Sequence, residues 1–339
     1  MSASPAHDLT AKNSLRLTAT ARDMVCFHAL AELPQITARV RSAEQAFVLG
    51  GGSNVVLAPY LDSLVIQVAS RGMRVVEETA DSRILEVQAG VCWHDLVSQC
   101  IANEWGGLEN LALIPGTVGA APVQNIGAYG LELAQRLAGV QAWHFGRERL
   151  FDLAPDDCGL AYRDSIFRQA PPGAWLITSV RLRLPLHWEP VLSYPVLRDH
   201  ASLQMPASSL TPRHIFEAVC EIRRSKLPDP AVLPNAGSFF KNPVVDAAHH
   251  ARLRERWTDL AAYPQPDGRW KLAAGWLIER AGWKGRRLGA VGMHSDQALV
   301  LVNHGQADAH QVRALANRVR ADVTRLFQVD LEQEPVNIF

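Results

Sequence analysis

Leu111-Ala112-Leu113-Ile114-Pro115-Gly116-Thr117-Val118-Gly119, taken up again at Gln124-Asn125-Ile126-Gly127-Ala128-Tyr129-Gly130, is the stretch on which the fold turns. Four glycines and two prolines between 111 and 130 exclude a regular helix or strand. The segment is too apolar for disorder and too long for a mere connector. Glycine permits positive φ and close backbone approach, so such a loop can present N–H groups to phosphate oxygens. The Gln124-Asn125 amides suit the polar edge of a ring. A second loop of this kind, Gly50-Gly51-Gly52-Ser53-Asn54, directly follows the short apolar run 46–49. A tight hairpin turn is its plain alternative. Val55 stands where a third glycine would complete G-x-G-x-x-G, so the dinucleotide fingerprint of the Rossmann type is not met.

Around these loops the pattern alternates between short strands and helices. Strands are expected at 64–68, 84–87 and 175–185, and a helix over 93–104 with Trp93, Leu96, Val97, Cys100 and Ile101 on one face. After a turn-rich break at 208–212, Thr211 is placed to cap a helix running from Pro212 to about Lys226. Another helix, near 272–281, stops at Gly282. The last is the clearest: Val312, Leu315, Ala316, Val319, Val323, Leu326 and Phe327 repeat at helical spacing behind Asp308 as cap. Its arginines, 313, 318, 320 and 325, read as a solvated face. A terminal strand is expected over 329–339. The class is α+β, with a boundary near 205–212.

The 339 residues contain 34 Lys+Arg and 34 Asp+Glu, and this balance argues against a binder of nucleic acid. It leaves room for a local basic pocket. Five scattered cysteines form no C-x-x-C pair, so neither a disulfide framework nor a zinc knuckle is expected. No signal-like apolar core lies in the first twenty residues and no run of 18 apolar residues exists, which points to a cytoplasmic protein without a membrane span. There is no phosphate loop of the G-x-x-x-x-G-K-[ST] type, no G-x-S-x-G elbow and no H-E-x-x-H. His249 and His250 are adjacent, about 100° apart on a helix, and make a poor chelating pair; no metal is expected.

Three further clusters stand out. Pro234-Asn235-Ala236-Gly237-Ser238-Phe239-Phe240-Lys241-Asn242-Pro243 places a serine between a glycine and two aromatics, which fits either a shaped apolar pocket or an unusual buried loop. In Tyr162-Arg163-Asp164-Ser165 the plain reading of Arg163 is a surface ion pair. In Glu332-Gln333-Glu334 it is a solvated strand edge.

Taken together, the two glycine loops, Gly107 to Gly119, Gln124 to Gly130, Tyr162 to Phe167, Ser225-Lys226-Leu227-Pro228-Asp229-Pro230, Gly237 to Pro243 and Lys271 to Ile278 closely resemble the UDP-N-acetylenolpyruvoylglucosamine reductase (MurB) family. Order and spacing match from about residue 13 to the C-terminus, and the segment carrying Tyr194 resembles the form with a tyrosine-bearing substrate loop. The resemblance implies a two-lobed FAD-binding domain of the vanillyl-alcohol oxidase (PCMH) type plus a C-terminal α/β substrate domain. The expected ranges are 1–70 and 71–207 for the lobes (PCMH region about 20–187), 208–328 for the substrate domain, and 329–339 for a terminal strand with Glu334. It also implies non-covalent FAD, NADPH as co-substrate and a sugar-nucleotide substrate. The reaction is a step of peptidoglycan precursor synthesis that serves cell wall, cell shape and division, and the enzyme is expected to be a monomer. By position, Ser238 matches the proton donor, and Arg163 and Glu334 the pair that stabilises the enolate-like intermediate. Gly50, Gly51, Gly52, Ser53, Asn54, Pro115, Gly116, Gly119, Gln124, Asn125 and Gly127 match FAD contacts. Tyr129, Tyr194, Lys226, Asn242 and Gln297 match contacts to substrate or nicotinamide nucleotide. Lys226 and Lys241 are both candidates to assist Ser238.

Three departures are visible. Asn13-Ser14-Leu15-Arg16 stands where the family reads Asn-Thr-Phe-Gly, removing an aromatic and a glycine expected near the flavin lobe, with FAD retention at stake. Pro335-Val336-Asn337 follows Glu334 where some relatives have valine then arginine, and the chain stops at Phe339. The rival readings are another flavin oxidase or dehydrogenase of the same superfamily, and an inert nucleotide-binding paralogue.

Overall fold

The computed structural model describes residues 6–339, and these divide into two compact units that interleave along the chain. Unit 1 comprises Ala21–Gly52 and Asp62–Ser225, together with the described end of a short N-terminal piece; unit 2 comprises Asp8–Thr20, Ser53–Leu61 and Lys226–Phe339.

Unit 1 is built on a five-stranded antiparallel sheet in the order Arg149–Leu153, Leu137–His144, Trp175–Pro185, Ser82–Gln88, Met73–Glu78. Trp175–Pro185 is the central strand and buries Leu176, Ile177, Val180, Leu182 and Leu184. Helix Trp93–Ala102 lays Trp93, Leu96, Val97, Cys100 and Ile101 into the same core, the face that the sequence spacing marks. Ala46–Leu49 pairs in parallel with Leu64 to Gln67 of the strand Tyr60–Val68. The glycine loop after Leu49 is therefore not a hairpin turn, since a hairpin joins antiparallel neighbours. Helix Pro212–Lys226 has the expected bounds, with the Thr211 hydroxyl accepting the His214 N–H at 3.4 Å. Its Ile215, Ala218, Val219, Cys220 and Ile222 join the core of unit 1.

Unit 2 has a four-stranded antiparallel sheet ordered Asn235–Ser238, Val300–Asn303, Val291–Met293, Arg287–Leu288. Helix Ala309–Phe327 packs its apolar stripe on Phe239, Phe240 and Trp283. The Asp308 carboxylate accepts the Gln311 N–H at 3.0 Å and Gln311 returns the bond, a reciprocal cap. The C-terminal strand is shorter than expected: only Val336–Ile338 is strand, paired in parallel with Val55–Leu57. Pro335, which has no N–H to give a ladder, interrupts it.

The departure at Asn13–Arg16 belongs to unit 2, not to the unit of the glycine-rich 111–130 loop. Asn13 organises the segment by itself: its Nδ2 donates to Leu9 O at 3.0 Å and Leu17 O at 3.2 Å, and its Oδ1 accepts Leu17 N–H at 2.9 Å. Leu15 is fully buried with Phe239 and Phe240, and Asn303 Nδ2 donates to its carbonyl at 2.8 Å. Arg16 has φ +46°, the left-handed region that favours glycine. Arg16 thus carries local backbone strain within unit 2.

A candidate nucleotide and flavin site

In unit 1 the two glycine loops are pressed together. A Cβ on Gly51 would lie 2.9 Å from Gly116 Cα, and one on Gly50 would lie 2.8 Å from Thr117 Oγ1. Neither position accepts a side chain, and Gly52 (φ +63°) completes the turn. Gly119 has a different reason: its N–H donates to Ala89 O at 2.8 Å, and a Cβ would stand 2.5 Å from Ala89 Cβ, so it seats the loop on the sheet. Thr117 Oγ1 is buried without a hydrogen-bond partner, and among the described residues the N–H groups of Gly51 and Gly52 meet no backbone acceptor. These donors lie where the two glycine loops meet without side chains between them. That arrangement fits a pyrophosphate, which accepts several N–H and O–H bonds at once. Pro115 and Gln124 sit on the same loop, Pro115 exposed and Gln124 half-buried.

Asn125 stands apart from its neighbours. It has φ +43°, its Nδ2 donates to Glu132 Oε2 at 3.0 Å and Ala161 O at 3.2 Å, and its Oδ1 accepts the Ala134 N–H at 3.0 Å. Its side chain is spent on holding the loop. Its carbonyl accepts from Arg163 Nη1 at 3.4 Å, while Gly127 O accepts from Nη2 at 3.2 Å. Arg163 itself has φ +56° and its guanidinium lies 5.4 Å from the Tyr162 ring centroid. These two carbonyls help to orient the guanidinium.

Tyr129 (φ +48°) meets Tyr194 edge-to-face, ring centroids 5.4 Å apart at 83°. Asn110, fully buried, donates from Nδ2 to both Tyr129 O and Val191 O at 2.9 Å, which ties the tyrosine loop to the glycine loop. Burial pushes the Tyr129 phenol above its ordinary range, opposed by nearby Arg223. Arg223 is a residue the sequence reading missed. Burial pushes its guanidinium below the usual arginine value, the Tyr129 and Cys220 side chains are the groups that favour its charge, and no carboxylate among the described residues pairs with it. The signal was present: Ile215, Val219 and Ile222 mark the buried stripe of the helix, and position 223 continues it.

In unit 2 Ser238 ends the strand Asn235–Ser238 and Glu334 lies beside it. Gly237 has φ +66° and Ser238 is exposed beyond a register shift in the ladder to Val300–Asn303. Behind it Phe239 and Phe240 are buried edge-to-face at 5.2 Å. The Glu334 N–H donates to Phe239 O at 2.9 Å, and Asn54 Nδ2 donates to Glu334 O at 3.4 Å. Glu334 is thus fixed one residue from Ser238 across the pairing and is 9% exposed. Ser53 precedes Asn54 and is half-buried. Lys241 Nζ is held by Glu332 Oε1 at 2.5 Å, whereas Lys226 at the end of its helix is exposed and has no ion pair among the described residues. Asn242 Oδ1 accepts the Ala274 N–H at 2.9 Å and so caps helix Ala274–Arg280. Gln297 Oε1 approaches Gly275, where a Cβ would come within 3.2 Å.

Residues 25–146 match the FAD binding domain family, and residues 229–338 match the family described as UDP-N-acetylenolpyruvoylglucosamine reductase, C-terminal domain. The chain is 54% identical over 331 residues to the UDP-N-acetylenolpyruvoylglucosamine reductase of Bordetella pertussis, covering 98% of this chain and 94% of that one. It is 52% identical over 288 residues to the Pseudomonas aeruginosa enzyme of that name, 85% of this chain and 84% of that one. The crystal structure of the Thermus caldophilus enzyme superposes with a TM-score of 0.68 at 24% identity, covering 98% of both chains. The chain belongs to the UDP-N-acetylenolpyruvoylglucosamine reductase family, and it is an oxidoreductase that uses FAD and NADPH.

Proposed function

We propose that this protein reduces the enolpyruvyl ether of UDP-N-acetylglucosamine to UDP-N-acetylmuramate, with NADPH as the electron source. The observation that carries this reading is the coupling of Ser238 and Glu334, 96 positions apart in sequence, through the bond from Glu334 N–H to Phe239 O at 2.9 Å. FAD held by the glycine loops would supply the hydride chemistry that links NADPH to the vinyl methylene carbon of the substrate. The chain's own residues then handle charge and proton. Hydride addition to a vinyl group conjugated with a carboxylate builds negative charge on that carboxylate, and the Arg163 guanidinium, oriented by Asn125 O and Gly127 O, opposes it. Ser238 donates the proton of its hydroxyl to the carbon beside the carboxylate. A serine hydroxyl is a weak acid, so this step asks for a strongly basic carbanion and a cation beside the resulting alkoxide. Lys241 is already paired with Glu332, so we assign that role to Lys226. Glu334 takes part as a proton-bearing or donor-ordering group, since a bare carboxylate would repel the developing charge.

The glycine loops, with Ser53, Asn54, Pro115 and Gln124, hold the pyrophosphate of FAD; Gly51, Gly52 and Thr117 supply donors to it. Tyr129, Tyr194, Lys226, Asn242 and Gln297 contact the nucleotide substrates, and the Arg223 charge beside Tyr129 suits their anionic character. By sequence range the lobes are read as 1–70 and 71–207, the substrate domain as 208–328 and the terminal strand as 329–339, whereas the compact units place Asp8–Thr20 and Ser53–Leu61 in unit 2 and the apolar face of helix Pro212–Lys226 in unit 1. The enzyme is read as a cytoplasmic monomer acting in peptidoglycan precursor synthesis and so in cell shape and division. No helix among the described residues is long and apolar enough to cross a membrane. Incubation of the enzyme with NADPH and the enolpyruvyl sugar nucleotide tests the reading. The product should gain two hydrogens, with one solvent deuteron on the carbon beside the carboxylate when D2O is used. A product without that deuteron removes proton donation to carbon from the account.

A further inference from the structure

Helix Trp93–Ala102 starts against the glycine loop and holds it at three points. The Trp93 N–H donates to Gly116 O at 3.0 Å, the Trp93 indole donates to Leu111 O at 2.9 Å, and His94 Nδ1 accepts the Leu113 N–H at 3.1 Å. Leu113 needs holding. Its φ of +56° is a left-handed conformation that a leucine keeps only where its surroundings impose it. The acceptor role also fixes the imidazole: Nδ1 must be bare, so the ring proton sits on Nε2. The ring lies parallel to Phe216 at 5.7 Å with 6° between planes, which sets its orientation.

We propose that His94 is a positioning residue whose neutral imidazole fixes Leu113 to Gly116 in the shape that holds FAD, and that protonation of His94 releases this loop. The proposal rests on the reading of the two glycine loops as the FAD cradle. A proton added to His94 must go to Nδ1, which turns the acceptor of the Leu113 N–H into a donor facing a donor. The charged groups that face the ring are Asp95 on its own helix and Arg223 and Arg224 on helix Pro212–Lys226. Burial and the two arginines disfavour the imidazolium and Asp95 favours it, with burial the largest influence, so the ring stays neutral to below its ordinary 6.5. The folded value is lowered, so the contribution of this contact is full above 6.5 and is lost as the pH falls through the folded value.

The test is the dissociation constant of FAD, read by flavin fluorescence on apoprotein of the full chain between pH 8 and pH 5. The wild-type enzyme should bind FAD at constant strength from pH 8 to below 6.5, then up to about tenfold more weakly as the pH falls through the lowered value of His94, the equivalent of one lost buried hydrogen bond. His94→Ala should be about tenfold weaker at pH 8 with no further loss on acidification from this group. His94→Asn, whose Oδ1 occupies the place of Nδ1 and does not titrate in this range, should recover most of the affinity and remove the acid weakening. A wild-type constant in His94→Ala, or an acid limb kept in His94→Asn, overturns the proposal. Gly51→Ala serves as the reference. If it leaves FAD binding unchanged, the reading of the cradle fails; if it weakens binding while His94→Ala does not, only the role of His94 fails. Should His94→Ala not fold, His94→Asn carries the test through its pH profile alone.

Discussion

In the proposed mechanism Arg163 answers charge and Ser238 supplies the proton, and single substitutions should separate these roles. Ser238→Ala should leave flavin reduction by NADPH within about twofold of the native rate and slow reoxidation by the enolpyruvyl sugar nucleotide by about 10³, the usual worth of a positioned general acid. Stopped-flow absorbance of the two half-reactions reads this directly, and equal slowing of both makes Ser238 structural. Arg163→Lys should slow the same half-reaction by roughly 10²-fold, because a point charge does not reproduce a planar fork held by Asn125 O and Gly127 O. Native kinetics in that variant take Arg163 out of the mechanism. At this scale the sequence was informative about residue type and silent about state. Ser238, Arg163 and Glu334 were legible as candidates. That Lys241 is neutralised by Glu332 depends on a contact across 91 positions, which no local pattern encodes.

The elements explain why some predicted contacts carry two duties. Asn242 caps helix Ala274–Arg280 through Oδ1, and a lost cap costs about 1 kcal/mol. Asn242→Asp keeps the acceptor and removes the amide donor, so thermal stability should hold while KM for the sugar nucleotide rises; Asn242→Ala should lose both. A drop in melting temperature for the aspartate variant equal to that of the alanine variant would refute the separation. The bounds of Trp175–Pro185 and Pro212–Lys226 followed from alternation and capping, and those of Ala46–Leu49 from an apolar run that ends at the glycines. The shorter final strand did not, because its partner Val55–Leu57 lies 281 positions away and Pro335 breaks the ladder before it. The nature of the Gly50–Asn54 turn was likewise open until the parallel pairing of its strand with Leu64 to Gln67 was seen.

At the scale of the whole molecule, the chain crosses between its two units several times, and this crossing is the feature least visible in sequence. The 8–20 segment leads directly into the strand Thr20–Phe27, yet it packs with Asn303 and Phe239. The altered Asn13–Arg16 motif is therefore expected to act on stability and not on flavin. Arg16→Gly relieves a left-handed non-glycine residue, worth about 1 kcal/mol, against loss of the exposed bond from Arg16 Nη2 to Ala231 O at 2.9 Å. Calorimetry should show a melting temperature raised by a few degrees or unchanged, with FAD affinity equal to wild type. A tighter flavin in Arg16→Gly would restore the motif to the cofactor site. The central claim, electron transfer from NADPH through FAD to an enolpyruvyl sugar nucleotide, is tested most directly by the visible spectrum of the purified enzyme under anaerobic conditions. The account predicts a flavin band that bleaches with NADPH and returns when UDP-N-acetylglucosamine enolpyruvate is added. A band that bleaches and stays bleached in the presence of that substrate would contradict it.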